Sequence, residues 1–275
     1  MTCKERPIER PDTILPPPPP ADASRLALFL DLDGSLLDFA AHPDAVEVTP
    51  AVRAVIARIH RILDGAFALL SGRPLAQIDA LLDLPAIPGA GLHGAEIRER
   101  SGRRVAHAAD TDTALLAGRA RELVANLPDA IAEGIFIEDK GVALALHFRN
   151  APAAADAIGT MAADLLHAAG PGHELQRGNH VVEIKPAGCD KGDALAWFMR
   201  TAPFAGRVPW MIGDDLTDEH AFARCNALGG VSVIVGTRRP TGARHALVDP
   251  AAVRAWLAAL AGSLPDHGVP ALDVP

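Results

Sequence analysis

Short apolar runs punctuate the chain, and each ends on a small or polar residue. Leu26-Ala27-Leu28-Phe29-Leu30 stops at Asp31, Ala66 to Leu70 stops at Ser71, and Val208 to Ile212 and Val231 to Val235 are two more. Continuous apolar runs of this length suit strands buried on both faces of a parallel sheet. Between them the period changes. Val52, Val55, Ile56, Ile59 and Leu63 recur at helical spacing, behind Thr49 as N-cap and Pro50 at the first helical position. Pro74 to Leu82 and Asp218 to Cys225 also read as helices. This alternation predicts an α/β fold, a Rossmann-like parallel-sheet core covered by helices on both faces.

The middle of the chain follows another pattern. Asp112 to Leu127 and Pro152 to Ala168 are helix-like. Gly134 to Asp139 and Val142 to Phe148 flank Lys140-Gly141, and Glu174 to Arg177 and His180 to Lys185 flank Gly178-Asn179, two hairpin signals. Helix, hairpin, helix, hairpin predicts an α+β layer with an antiparallel sheet, inserted into the first domain. The expected organisation is a disordered Pro-rich leader over 1–24, a core domain from 25–104 and 187–262, an inserted domain over 105–186, and a flexible tail over 263–275. The run Pro16 to Pro20 cannot form helix or sheet bonds, so the leader is expected to be stiff and cut off from the fold, with a docking role as the alternative.

Composition narrows the function classes. Of 275 residues, 49% are hydrophobic, enough to exclude global disorder. A formal net charge of −8 argues against a sequence-independent nucleic-acid binder. Three scattered cysteines, Cys3, Cys189 and Cys225, make neither a disulfide framework nor a Cys-rich zinc site and fit a reducing, cytoplasmic compartment. No apolar run is long enough for a membrane span, and the charged N-terminus is no secretory signal.

The chemistry gathers at the ends of the predicted strands, where open parallel sheets bind ligands. Asp31-Leu32-Asp33-Gly34-Ser35 follows the first strand, and Gly213-Asp214-Asp215-Leu216-Thr217-Asp218-Glu219 follows a later one. Carboxylates crowded together require a cation or a shared proton, and an oxygen-rich site of this kind suits Mg²⁺. A carboxylate can also act as a nucleophile toward phosphorus. Ser71 can donate to an anion, and Lys191 can neutralise a phosphoryl group. Taken alone, each piece also reads as a turn cap, a solvated loop or a surface charge.

In this order Asp31-x-Asp33, Ser71, Lys191 and Gly213-Asp214-Asp215 with Asp218 resemble the four motifs of the haloacid dehalogenase superfamily of phosphatases, and the insertion resembles its cap domain. Within that superfamily the chain resembles the trehalose-6-phosphate phosphatases. The resemblance is carried by Gly91-Leu92-His93-Gly94-Ala95-Glu96, Ile137 to Gly141, Leu146 to Arg149, Val182 to Pro186, Asp190-Lys191-Gly192 and Gly213 to Glu219, and it spans about Leu26 to Leu260. Ser35, Leu92 and Phe148 depart from residues common there; the chain has no tyrosine.

The resemblance implies Asp31 as nucleophile and Asp33 as acid and base, with Ser71 and Lys191 holding the phosphoryl group. It implies Mg²⁺ on the carboxylates of Asp31 and Asp214 and the backbone carbonyl of Asp33, with Asp215 or Asp218 holding metal waters or positioning Lys191. It implies a sugar site on the cap built from Glu138, Lys140, His147, Arg149, Glu183 and Lys185, and closure of cap on core around trehalose 6-phosphate. A functional link to a trehalose-6-phosphate synthase follows from the same resemblance. Read without it, the cap residues form an ordinary solvated face, and His93 either touches the site or is a satisfied structural histidine.

Overall fold

The computed structural model describes residues 14–39, 46–84, 87–106 and 113–262. Twelve strands and eight α-helices occur among them, in chain order β1 Leu26–Leu30, α1 Pro50–Ile62, β2 Phe67–Leu70, α2 Leu75–Leu82, β3 Gly89–Gly91, β4 Glu96–Arg98, β5 Arg104–Ala106, α3 Thr113–Val124 and α4 Asp129–Ala132. There follow β6 Phe136–Asp139, β7 Leu144–His147, α5 Ala155–Ala169, β8 His173–Gly178, β9 Val181–Pro186, α6 Lys191–Phe198, β10 Val208–Gly213, α7 Glu219–Ala227, β11 Val231–Val235, β12 His245–Leu247 and α8 Pro250–Gly262.

The larger sheet runs β12-β11-β10-β1-β2-β3-β4-β5. Its first six strands are parallel, and β4 and β5 fold back antiparallel. The apolar runs occupy its centre: every residue of β1 and β2 is buried. With side chains pointing alternately to both faces, such strands need cover on both sides, and the α/β reading holds. Helix α1 begins as its sequence predicts, with Thr49 accepting from Val52 N–H and Pro50 at the first turn. No helix among the described residues is long and apolar enough to cross a membrane.

The smaller sheet runs β6-β7-β9-β8, antiparallel throughout. Its two hairpins turn where Lys140-Gly141 and Gly178-Asn179 mark them, the second shifted by one residue. One face carries Leu144, Leu146, Val182 and Ile184, buried with Leu116 and Ala120 of α3 and Ile158, Ala162 and Leu165 of α5. Each such apolar side chain contributes about 1.5–3 kcal/mol on full burial, so this face holds the layer together. The opposite face is polar and turns toward the carboxyl ends of the parallel strands.

The leader differs from its expectation where it is described. Pro16 O accepts from Ala246 N–H at 2.9 Å, and Pro17 O lies 3.2 Å from His245 Nδ1. Leu15 packs on the core. A proline lacks a donor but keeps its carbonyl, so the run can still satisfy the open edge of β12. Residues 1–13, the tail over 263–275 and the 107–112 segment lie outside the described residues.

Candidate active site

Strand order brings the acidic motifs together. β1 and β10 are neighbours, and Asp31 N–H donates to Ile212 O at 2.9 Å, so Asp31 and Asp214 leave adjacent strand ends. Gly34 permits the approach: it holds φ +86°, and a Cβ there would lie 2.4 Å from Asp214 Oδ2. Carboxylate oxygens of Asp31, Asp214 and Asp218 lie within 4.8 Å of one another. Ser35 Oγ donates to Asp214 Oδ1 at 2.9 Å. Lys191, the first residue of α6 and 3% exposed, donates to Asp31 Oδ1 at 2.7 Å and Asp218 Oδ1 at 2.6 Å. The second oxygen of Asp218 accepts from the backbone N–H of Asp214 and of Asp215.

The charge balance of this cluster is unfavourable as it stands. Burial, then the negative charge of Asp218, pushes Asp214 up to about 7. Burial also raises Asp31 well above the usual carboxylate range; Lys191 opposes the shift, while Asp218 and Asp214 add to it. Burial would lower Lys191, but Asp218 and Asp31 hold it protonated. One ammonium facing three carboxylates leaves room for a further cation, and hard oxygen donors suit Mg²⁺. The residues present therefore fit a divalent ion.

Beside the cluster, Ser71 and Gly72 follow β2. Ser71 N–H donates to Ala90 O at 2.9 Å, which fixes the loop on β3. Arg73 forms a bidentate pair with Asp33, Nε to Oδ2 and an Nη to Oδ1, both 2.7 Å.

The polar face of the small sheet closes over these groups. Glu138, Ala145, Glu183 and Gln176 form one cross-strand row, and Phe136, His147, Val181 and Gly178 form the next. All but Ala145 line a cavity of about 200 Å³ that also exposes Asp31, Asp33, Ser71, Arg73, His93, Lys140, Arg149 and Lys191. Lys140 bonds Glu183 and donates to Gly72 O at 2.9 Å. Gln77 of α2 donates to Glu138 at 3.0 Å, and His147 Nε2 lies 2.9 Å from the other oxygen of Glu138. Burial would raise Glu138, but His147, Lys140 and Gln77 outweigh it and hold it at about 2. Burial likewise opposes ionisation of Glu183, and Lys140 and His93 drive its pKa far down. Asn179 N–H donates to Asp215 Oδ2 at 3.3 Å, a further tie between the two layers.

The structure brings nine of the ten catalytic and sugar-site expectations to one cavity: Asp31, Asp33, Ser71, Lys191, Glu138, Lys140, His147, Arg149 and Glu183. The tenth, Lys185, is a correction. It shares the parity of Glu183 but lies two residues farther along β9, past the end of β7. Fully buried there, it bonds Glu174 and Cys189 O where the chain leaves the small sheet. Arg149 stands 4.5 Å over the ring of Phe39. Of the acids expected to serve metal waters or Lys191, Asp218 takes Lys191, while Asp215 caps Leu216 N–H and meets Asn179. Spacing alone assigns no role to Arg73, Gln77, Phe136 or Gln176. Only Arg73 had a signal, its place two residues after Ser71.

Comparisons with known proteins agree with this geometry. Residues 29–250 match the family described as trehalose-phosphatase. A Sinorhizobium fredii protein named "Probable trehalose-phosphate phosphatase" is 44% identical over 245 residues, covering 87% of this chain and 89% of its own. The Escherichia coli trehalose-6-phosphate phosphatase is 43% identical over 221 residues, covering 79% and 80%. Among solved structures, the C-terminal domain of the Candida albicans trehalose-6-phosphate phosphatase shares the fold. Its TM-score is 0.71 at 22% identity, over 87% of this chain and 92% of that one. With its parallel-sheet core, its inserted antiparallel layer and the strand-end acids between them, the chain belongs to the trehalose-phosphatase family.

Proposed function

We propose that the protein hydrolyses trehalose 6-phosphate to trehalose and phosphate, the last step of trehalose biosynthesis, through an aspartyl-phosphate. The observation that carries this reading is the shared cavity. A buried carboxylate beside a lysine and a serine shares one cavity with a row of hydrogen-bonding side chains on the second sheet.

In this mechanism a carboxylate oxygen of Asp31 forms a bond to phosphorus while the ester bond to the sugar O6 breaks. Asp33 supplies the proton that the leaving oxygen takes up. It then accepts a proton from the water that cleaves the aspartyl-phosphate, one group serving in both directions. Arg73 donates to both oxygens of Asp33 and so fixes the orientation of the carboxyl group assigned to both transfers. Ser71 and Lys191 face the phosphoryl oxygens, where fixed donors stabilise developing charge. Asp31 and Asp214, with the Asp33 carbonyl, would hold Mg²⁺, which when bound offsets repulsion between anionic nucleophile and anionic substrate. Asp218 keeps Lys191 in place. Glu138, Lys140, His147, Arg149 and Glu183 recognise the sugar hydroxyls, with Phe136 offering a ring face beside them. The core is assigned to residues 25–104 and 187–262 and the cap to 105–186. A cytoplasmic location and a functional link to the synthase that makes the substrate accord with this role.

The test is phosphate release from trehalose 6-phosphate, sucrose 6-phosphate, glucose 6-phosphate and an aryl phosphate, with Mg²⁺ and with chelator. Metal-dependent preference for trehalose 6-phosphate is expected. Preference for another sugar phosphate would overturn the cap assignment, and turnover unaffected by chelator would overturn the metal assignment.

A further inference from the structure

Glu183 belongs to the small sheet, yet one of its oxygens is bonded by, and the other lies close to, a group that ties it to the core. Oε2 lies 2.8 Å from His93 Nε2. Oε1 accepts from Lys140, which also donates to Gly72 O. His93 is in turn placed by the loop that carries Ser71. Its backbone N–H donates to Ser71 O at 3.0 Å, and that of Leu92 donates to Arg73 O at 3.1 Å.

The backbone here is unusual. Leu92 and His93 hold φ of +51° and +56°, a region that residues with a Cβ seldom occupy. Such conformations persist where the surroundings enforce them, and they collect at functional sites. The imidazole lies against Gly72: a Cβ at that position would sit 2.7 Å from Cε1 and Nε2. The absence of a side chain at residue 72 therefore makes room for the ring.

His93 is 8% exposed. Burial lowers its pKa, and the neighbouring Glu183 only partly opposes this. Its Nδ1 is buried without a hydrogen-bond partner among the described residues. Glu183 Oε2 is likewise buried without a well-aligned hydrogen bond among the described residues, so the 2.8 Å approach of Nε2 is a close polar contact that a small tilt of a neutral, Nε2-protonated ring turns into a hydrogen bond.

We propose that His93 is a positioning residue of the sugar site: it holds Glu183 against the Ser71 loop, so the sugar-binding row is assembled only when the cap rests on the core. The inference rests on the reading of Glu183 as a sugar ligand. A favourable contact between the two layers shifts the equilibrium toward their closed arrangement, and here it links sugar recognition to the phosphate loop.

The experiment is a double-mutant cycle on the full chain with Mg²⁺, using His93→Leu, Glu183→Gln and the pair, read as kcat and KM on trehalose 6-phosphate. Each single variant should lose about 10- to 100-fold in kcat/KM, the cost of one hydrogen bond to a charged group. If the two act as one unit, the double variant falls within about 3-fold of the worse single. His93→Gln, whose amide N–H can reach the same oxygen, should recover most of the loss, and it serves as the test if His93→Leu fails to fold. Losses that multiply in the double variant, or no recovery by His93→Gln in folded protein, would overturn the proposal. The outcome for the activity itself is separate. A wild-type enzyme that does not prefer trehalose 6-phosphate over an aryl phosphate sinks the functional reading. A selective wild type with multiplying losses sinks only the role of His93.

Discussion

Replacing Lys191 by methionine tests the charge balance on which the site depends. The ammonium lies 2.7 Å from Asp31 and 2.6 Å from Asp218, and it is almost wholly buried. Methionine fills much of the same volume but leaves those carboxylates, with Asp214, within 4.8 Å of one another and no cation between them. Removing one partner of a buried ion pair costs about 3–5 kcal/mol. At about 2–4 °C per kcal/mol for a chain near this size, the melting temperature in metal-free buffer should fall by roughly 10 °C. Part of the loss is recoverable in two ways. Asp31 and Asp214 already have raised pKa values, so the variant can take up a proton, and its deficit should shrink as pH falls toward about 5. Added Mg²⁺ should also raise the melting temperature of the variant more than that of the wild type, because the cluster has lost its internal cation. Turnover of folded variant with Mg²⁺ should fall by about 10²–10³-fold, the usual consequence of removing one preorganised stabiliser of transition-state charge. Thermal unfolding followed by circular dichroism, with and without Mg²⁺, gives the first quantity, and phosphate release gives the second. A melting temperature within about 2 °C of wild type in metal-free buffer would refute the reasoning, since so small a shift is less than 1 kcal/mol.

Asp31→Asn should abolish turnover while the protein still folds; more than a small residual activity would remove Asp31 as the nucleophile. Glu138 is held at about 2 against an ordinary value of 4.5, so its contribution to stability is complete above about pH 4.5 and is lost as pH falls toward about 2. The stability difference between wild type and Glu138→Gln, from urea titrations, should therefore shrink across that window, and a difference independent of pH would contradict the assignment. Lys185→Met should lower stability, because Glu174 and Cys189 O lose their partner, yet leave the preference for trehalose 6-phosphate over an aryl phosphate unchanged. A selective loss on the sugar substrate would return Lys185 to the binding site.

Much of this architecture follows from the sequence alone. The runs before Asp31, Ser71 and Asp214 are apolar at consecutive positions, and such segments are stable only as strands covered on both faces. Their polar ends must then emerge at the sheet's carboxyl edge, and Asp31, Asp33, Ser71 and Asp214 follow those ends in the sequence. The hairpins at Lys140-Gly141 and Gly178-Asn179 were likewise legible, because alternation and turn chemistry are local. The short strands β4, β5 and β12 were not: three residues carry too little pattern, and what makes them strands is the neighbour they pair with.

Tertiary structure alone decided which groups meet. Glu183 and Lys185 have the same parity on β9, but β7 ends between their levels, so one faces the cavity and the other is sealed beside Cys189. Arg73 finds Asp33 across 40 positions, and Lys191 finds Asp31 across 160, because β1, β2 and α6 converge at one edge of the sheet. The leader's Pro16 meets β12 only because β12 is the outermost strand. His93 reaches Glu183 only because a left-handed turn over Gly72 directs its ring across to the other sheet. Residue type and local period determine which side chains can do chemistry. Sheet order, register and closure determine which of them share a site, since those distances depend on the whole chain being folded.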